Sequence, residues 1–291
     1  MVPANGMVKN LTFSEKFTIL SEFMSNSLIY QPLNIQTKAI LLAITLLNSS
    51  ATIKQTDIVV DTIVIDAGHG GKDPGTHGAF MKEKDVALKI ALKVGGYIEK
   101  NIPGVKVIYT RKGDQYLALD ERAAIANKNK ADLFICIHAN AVPKPEILGT
   151  ETYVMGLHKS EGNLDVAKRE NAVILLDNNY QERYEGFDPN SAESYILFSI
   201  AQSAFQESSL KFAEKVESQF KSRLGRRSHG VKQAGFWVLW RTAMPSVLIE
   251  VGFLTNQREE RFLSETSGQE MIASGIYRAF KEYKAQVESI N

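Results

Sequence analysis

Asp61-Thr62-Ile63-Val64-Ile65-Asp66-Ala67 runs without a break into Gly68-His69-Gly70-Gly71-Lys72. A short apolar run ending in glycines reads as a buried strand that leaves through a tight turn. Beyond this turn the pattern alternates. Residues 83–101 carry Val86, Ile90, Val94 and Ile98 at four-residue spacing, the stripe of an amphipathic helix. Residues 105–110 read as a second strand, 119–130 as a second helix, and 133–139 as a third, very apolar strand. Further along, 150–155, 236–240 and 247–253 are strand-like, while 209–224, 257–264 and 268–286 are helical. Strands alternating with helices predict an α/β layer fold around a mostly parallel sheet.

Composition narrows the class. The chain has 291 residues, 44% of them hydrophobic, enough to build a core and too many for a disordered chain. With 34 Lys+Arg against 33 Asp+Glu the formal charge is +1, which argues against a nucleic-acid partner. The single cysteine, Cys136, excludes an internal disulfide framework and a multi-cysteine zinc knuckle. It lies in the apolar third strand and is expected simply to pack there.

Known phosphate-binding templates fail at the first turn. A Walker loop needs Ser or Thr after Lys72, and a dinucleotide fingerprint needs a third glycine; Asp73 stands in both places. There is no G-x-S-x-G elbow and no H-E-x-x-H helix. The ionisable residues at the strand ends are more informative, because ligands of open α/β sheets bind beyond the carboxyl ends of the strands. His69 comes just after the first strand, His138 ends the third, and Glu250 lies near the end of the strand at 247–253. Glu83 opens the first helix, whose start faces the same rim in a right-handed crossover. Taken singly each has a plainer reading: His69 in a glycine turn, Glu83 as a helix N-terminal charge, His138 as a strand end. Glu250 is the sharpest, since a carboxylate inside Val247-Leu248-Ile249-Glu250-Val251 is costly unless paired, metal-bound or functional. Two imidazoles and a carboxylate make a common catalytic zinc set, and a further carboxylate nearby supplies a base. His77, His158 and His229 are expected in solvated polar loops.

Ile65-Asp-Ala-Gly-His-Gly-Gly-Lys-Asp-Pro-Gly75, Glu83-Lys-Asp85, Thr110-Arg111, Ile137-His-Ala-Asn140 and the stretch 245–256 together resemble the zinc-dependent N-acetylmuramoyl-L-alanine amidases of the cell-division type. The resemblance runs from about Asp61 to the C-terminus, in order, so it is far more specific than any one motif. It implies a single catalytic domain with a mixed, mostly parallel sheet flanked by helices. It implies Zn2+ held by His69, Glu83 and His138, with Glu250 as the catalytic glutamate and Arg122 and Asn140 as scaffolding or substrate contacts. The implied reaction is cleavage of the amide between N-acetylmuramic acid and L-alanine in peptidoglycan, in wall remodelling and daughter-cell separation. Two rivals carry different expectations: a zinc peptidase acting on wall stem peptides, and a non-catalytic peptidoglycan-binding regulator that kept the fold.

Two segments stand outside this pattern. Residues 1–57 read as an N-terminal extension in which 38–51 match a secretory signal: Lys38, an apolar run from Ala39 to Leu47, then Ser49-Ser50-Ala51. The run is too short for a bilayer span, which takes roughly 20 residues, so the chain is expected to be exported to the periplasm or cell envelope without a stable membrane span. The plainer reading is an amphipathic helix packed on the domain. The remaining 58–291 then form the catalytic domain, including an insertion at 157–208, far longer than the roughly 2–6 residues of most α/β loops. It is polar, with a helical stretch at 165–177, and is expected either to be a lid or to be a surface excursion without a role. Some relatives carry a helical insert that covers the site until a protein activator displaces it. Glu170, Glu182, Glu185, Asp188 and Glu193 are the carboxylates here from which such a blocking ligand would come.

Overall fold

The computed structural model describes residues 59–200 and 205–289. The extension at 1–57 and its signal-like segment at 38–51 lie outside the described residues. The described residues build one six-stranded sheet flanked by helices. The strands are β1 (Thr62–Ala67), β2 (Lys106–Tyr109), β3 (Leu133–Asn140), β4 (Thr150–Met155), β5 (Ser228–Ala234) and β6 (Ser246–Phe253), in the spatial order β2-β1-β3-β6-β4-β5. The first four in that order are mutually parallel; β4 runs antiparallel to β6, and β5 parallel to β4. The sheet is therefore mixed and mostly parallel, as the alternation predicted.

Both faces are covered, which is why the central strands are apolar throughout rather than alternating. β3 and β6 are buried along their whole length. Alternate residues serve opposite faces. Ile63 and Ile65 join a core with Ile90, Phe212, Ile276 and Phe280, from α1 (Glu83–Asn101), α6 (Gln206–Ser222) and α9 (Thr266–Glu288). Val64, Phe134 and Leu248 face the other way, toward α2 (Leu119–Lys128), α7 (Trp237–Trp240) and the insertion.

The insertion is a packed body. Ser160 caps α3 (Glu161–Asn171) by accepting from the Asn163 amide, and a 3-10 turn (Ala172–Leu176), α4 (Tyr180–Arg183) and α5 (Ser194–Ile200) come after it. Tyr184, Phe187, Tyr195 and Phe198 are buried against Trp237, with ring centroids 5.2 Å apart for Tyr184–Trp237 and for Phe187–Trp237. Burying one such side chain is worth roughly 1.5–3 kcal/mol.

Two local expectations are corrected. Residues 236–240, read as a strand, form the helical turn α7, because Phe236, Trp237 and Leu239 meet the insertion rather than a neighbouring strand. Residues 228–234, to which the sequence reading assigned no element and only a polar loop at His229, form the edge strand β5, half-buried over most of its length. His229 consequently sits in a strand, where its Nε2 contacts the Leu148 carbonyl oxygen at 2.9 Å. α8 (Gln257–Ser264) forms where the spacing placed it, capped by Asn256.

The topology places the site. From β1 the chain crosses to β2 on one side, and β3 returns to the other side of β1. Beyond the carboxyl ends of β1 and β3 a crevice opens at this reversal.

Candidate metal centre

His69 is the second residue after β1, held at a φ of 59° in the left-handed region that few side chains adopt. Two buried arginines hold the turn in this shape. Arg122 pairs with Asp66 at 2.8 Å and donates to the carbonyls of Ala67 and His69, both at 2.7 Å. Arg111 donates to the carbonyls of Ala67 and Gly68 at 2.9 and 2.7 Å. Cys136 does more than pack: its thiol donates to the other oxygen of Asp66 at 2.9 Å. Arg122 and Arg111 thus hold the same turn from two sides, through its carbonyl oxygens.

Side chains from three elements converge on the turn. His69 Nε2 lies 3.1 Å from His138 Nδ1. Glu83 Oε1 lies 3.1 Å from that His69 nitrogen and 2.9 Å from the His138 nitrogen. Glu170 Oε2, from the last turn of α3, lies 3.2 and 3.0 Å from the same two atoms. One ligand atom from each of these four buried residues falls within 4.8 Å of all the others. Asp73 accepts from His69 Nδ1 at 2.7 Å, which assigns the proton to that nitrogen and turns the Nε2 lone pair inward. Glu83 is fixed by the amides of Thr76 and Ala139 at 2.8 and 3.0 Å.

This donor set fits a divalent metal ion. Two imidazole nitrogens and two carboxylate oxygens share one centre, and Glu170 Oε2 has no hydrogen-bond partner among the described residues despite its short approaches. Burial alone would depress the charge on His69, but Glu83, Asp73 and Glu170 outweigh it and push the imidazole well above its ordinary range. Two histidines with a carboxylate, plus one exchangeable position, is a donor set suited to zinc.

Glu250 adjoins the cluster because β6 pairs with β3 in the register His138–Glu250. It is fully buried, and neither carboxylate oxygen has a hydrogen-bond partner among the described residues. Burial, then the like charges of Glu170 and Glu83, raise it well above the usual carboxylate range. Against them stand His138 and Arg169, whose Nη2 lies 3.7 Å from Glu250 Oε1. Asn140, at the end of β3, donates to Glu151 at 3.2 Å and accepts from Arg169 Nη2 at 2.9 Å. Arg169 and Glu151 carried no separate signal in the sequence: both are ordinary charged residues in polar contexts.

Of the five insertion carboxylates, Glu170 reaches the centre and the others do not. Glu185 pairs with Arg241 at 3.2 Å, Asp188 accepts from the Asn190 amide, and Glu193 accepts from the Ser191 hydroxyl. Glu182 lines an outer surface pocket with Lys72 and Arg183. A cavity of about 420 Å³ opens beside Glu170, lined by His69, Lys72, Pro74, Thr76 and Val173.

Gly68 leaves no room for a larger residue: a Cβ there would stand 2.4 Å from His138 Nε2. Gly68→Ala is therefore expected to tilt the His138 ring and weaken metal binding at least about tenfold, roughly 1.4 kcal/mol. Chelator competition reads this directly; unchanged affinity in the folded variant would show that His138 is not a ligand.

The family described as N-acetylmuramoyl-L-alanine amidase matches residues 63–282. The chain is 33% identical over 229 residues to N-acetylmuramoyl-L-alanine amidase AmiC of Escherichia coli, covering 77% of this chain and 52% of that protein, so it spans about half the length of this relative. Among solved structures, an N-acetylmuramoyl-L-alanine amidase from Clostridium difficile aligns with a TM-score of 0.58 at 28% identity, covering 78% of this chain and 97% of the other. The CwlD amidase from Clostridioides difficile, solved in complex with the GerS lipoprotein, aligns with a TM-score of 0.57 at 26% identity over 78% of this chain and 99% of its own.

Proposed function

The chain belongs to the N-acetylmuramoyl-L-alanine amidase family, whose domain it carries across residues 63–282, and from that premise we propose that it cleaves the amide joining N-acetylmuramic acid to L-alanine in peptidoglycan with a zinc ion held by His69, Glu83 and His138. The observation that carries this reading is the convergence of those three side chains with Glu250 one strand away. When bound, zinc supplies a Lewis acid that polarises the carbonyl and lowers the pKa of water to about 7.

The chain's own residues do the rest. Glu250, whose oxygens have no hydrogen-bond donor among the described residues, takes a proton from the attacking water and returns it to the departing amine nitrogen. Its raised proton affinity suits both steps, since a group that must accept and then release works best near the operating pH. Asp73 keeps the His69 proton on Nδ1, so that ring stays oriented through the cycle. Arg111 and Arg122 hold the turn that carries His69.

Glu170 gives the insertion its role. It occupies the position that substrate and water need, so the chain as folded is closed, and the insertion at 157–208 within the 58–291 domain is a self-blocking segment. Opening it requires a protein partner that grips the insertion and draws α3 away. Peptidoglycan lies outside the cytoplasmic membrane, so this function requires export; 38–51 is the segment we assign to it. No helix among the described residues is long and apolar enough to cross a membrane.

Digestion of purified sacculi, with the wild-type chain and with Glu170→Ala, tests the reading. The expected products are glycan strands freed of peptide and stem peptides with a free L-alanine amine, formed only without chelator and restored by zinc. Fragments cut within the stem peptide would transfer the chain to the peptidase class, and chelator-insensitive release would remove the metal.

A further inference from the structure

Arg169 and Glu170 enter the site side by side as a cation and a carboxylate. Arg169 Nη1 donates to the Ala141 carbonyl at 2.9 Å and Nη2 to Asn140 Oδ1 at 2.9 Å, with Glu250 Oε1 3.7 Å from Nη2. Glu170 Oε1 pairs with the same guanidinium at 3.0 Å, while Oε2 joins the imidazoles. Amide hydrolysis ends in the same two charges. The C–N bond breaks, the water oxygen bonds to the acyl carbon, and both water protons finish on the nitrogen, leaving a carboxylate beside an ammonium. Accordingly, and resting on the amidase reading above, we propose that Arg169–Glu170 blocks the site as a mimic of its products, and that Asn140 Oδ1, the Ala141 carbonyl and Glu250 form the pocket for the amine of the stem peptide.

The acceptor geometry supports this assignment independently of the metal. An alkylammonium has three N–H donors and no acceptor, and this pocket offers an amide oxygen, a backbone carbonyl and a carboxylate. Asn140 cannot turn its amide over to present a donor instead. Its Nδ2 donates to Glu151 Oε2 at 3.2 Å and its Oδ1 accepts from the Ala141 amide at 2.7 Å. Glu151 is itself fixed by the Tyr153 hydroxyl at 2.7 Å and Lys232 Nζ at 2.5 Å. This sets the orientation of the substrate: its acyl half lies where Glu170 lies, and its peptide half leaves past Ala141. Withdrawal of α3 takes the Arg169 donors away from Asn140 Oδ1 and the Ala141 carbonyl, which frees both acceptors for a ligand that brings N–H groups.

Direct binding tests this without turnover. The full-length Arg169→Ala chain, metal-free and zinc-loaded, is titrated by calorimetry with a dipeptide beginning in L-alanine, once with a free amino group and once N-acetylated. The free amine is expected to bind at least about tenfold more tightly than the acetylated form. It should also bind at least about tenfold more tightly to this variant than to the wild type, where Arg169 holds the acceptors. Adding Asn140→Leu should erase the preference, with a thermal melt to verify folding. Equal affinity for the two dipeptides in Arg169→Ala, or no binding of either, overturns the proposal. Such a result leaves the products of sacculus digestion untouched, so failure of the pocket and failure of the amidase reading are separately visible.

Discussion

Glu250→Gln is expected to keep its metal and lose about 10²–10⁴-fold in amide hydrolysis, the usual contribution of a positioned acid-base group. The substitution is nearly isosteric in a fully buried position on β6, so the fold and the neighbouring cluster should survive. A glutamine amide can neither take the water proton nor return it to the amine. The carboxylate also lacks a hydrogen-bond partner among the described residues that would explain its burial structurally, and burial with the like charges of Glu170 and Glu83 opposes its ionised form, so stability should hold or rise. Metal analysis beside initial rates on sacculi separates the roles: His69→Ala and His138→Ala should lose both zinc and activity, Glu250→Gln activity alone. Retained turnover in a metal-loaded Glu250→Gln chain would remove Glu250 from proton transfer.

Glu170→Ala is expected to raise basal turnover. A minor state of a two-state protein is commonly populated at about 0.1–10%, which leaves room for a gain of roughly ten- to a thousandfold. The point substitution should fall short of that ceiling, because other contacts still hold the insertion down. Asp177 accepts from the hydroxyls of Tyr116 and Tyr184 at 2.8 and 2.7 Å, and Arg183 bridges to Asp120 and Glu121 at 2.8 and 3.0 Å. Deleting 164–194 removes these contacts together and should release more activity in a chain that still shows its secondary structure by circular dichroism. Rates are read on dye-labelled sacculi without any added protein. An unchanged or lower rate in a folded Glu170→Ala chain would make Glu170 a permanent ligand instead of a plug.

How far the amino-acid sequence carried these conclusions differs from element to element. β1, β3 and β6 were legible because strands buried on both faces must be apolar at every position. β5 was not: an edge strand is half-solvated, and Ser228 to Ala234 shows neither an apolar run nor strict alternation. Residues 236–240 misled for the opposite reason, since an aromatic run reads as strand until its burial partners are known. Its partners are the insertion's rings.

The same division runs through the site. His69, His138 and Glu250 were placed by local pattern plus one rule of topology, because a parallel strand's carboxyl end is set by chain direction alone. Glu83 was placed by the handedness of the first crossover. Glu170 could be named only as one of five carboxylates, and Arg169 not at all. α3 is a polar helix whose own spacing does not say which rim it will meet. Where it docks is settled by distant packing, the rings of Tyr184, Phe187, Tyr195 and Phe198 closing on Trp237. Strand order is written in short-range hydrophobicity and chirality; the approach of Glu170 to the two imidazoles depends on long-range contacts that exist only once the insertion has packed on the sheet.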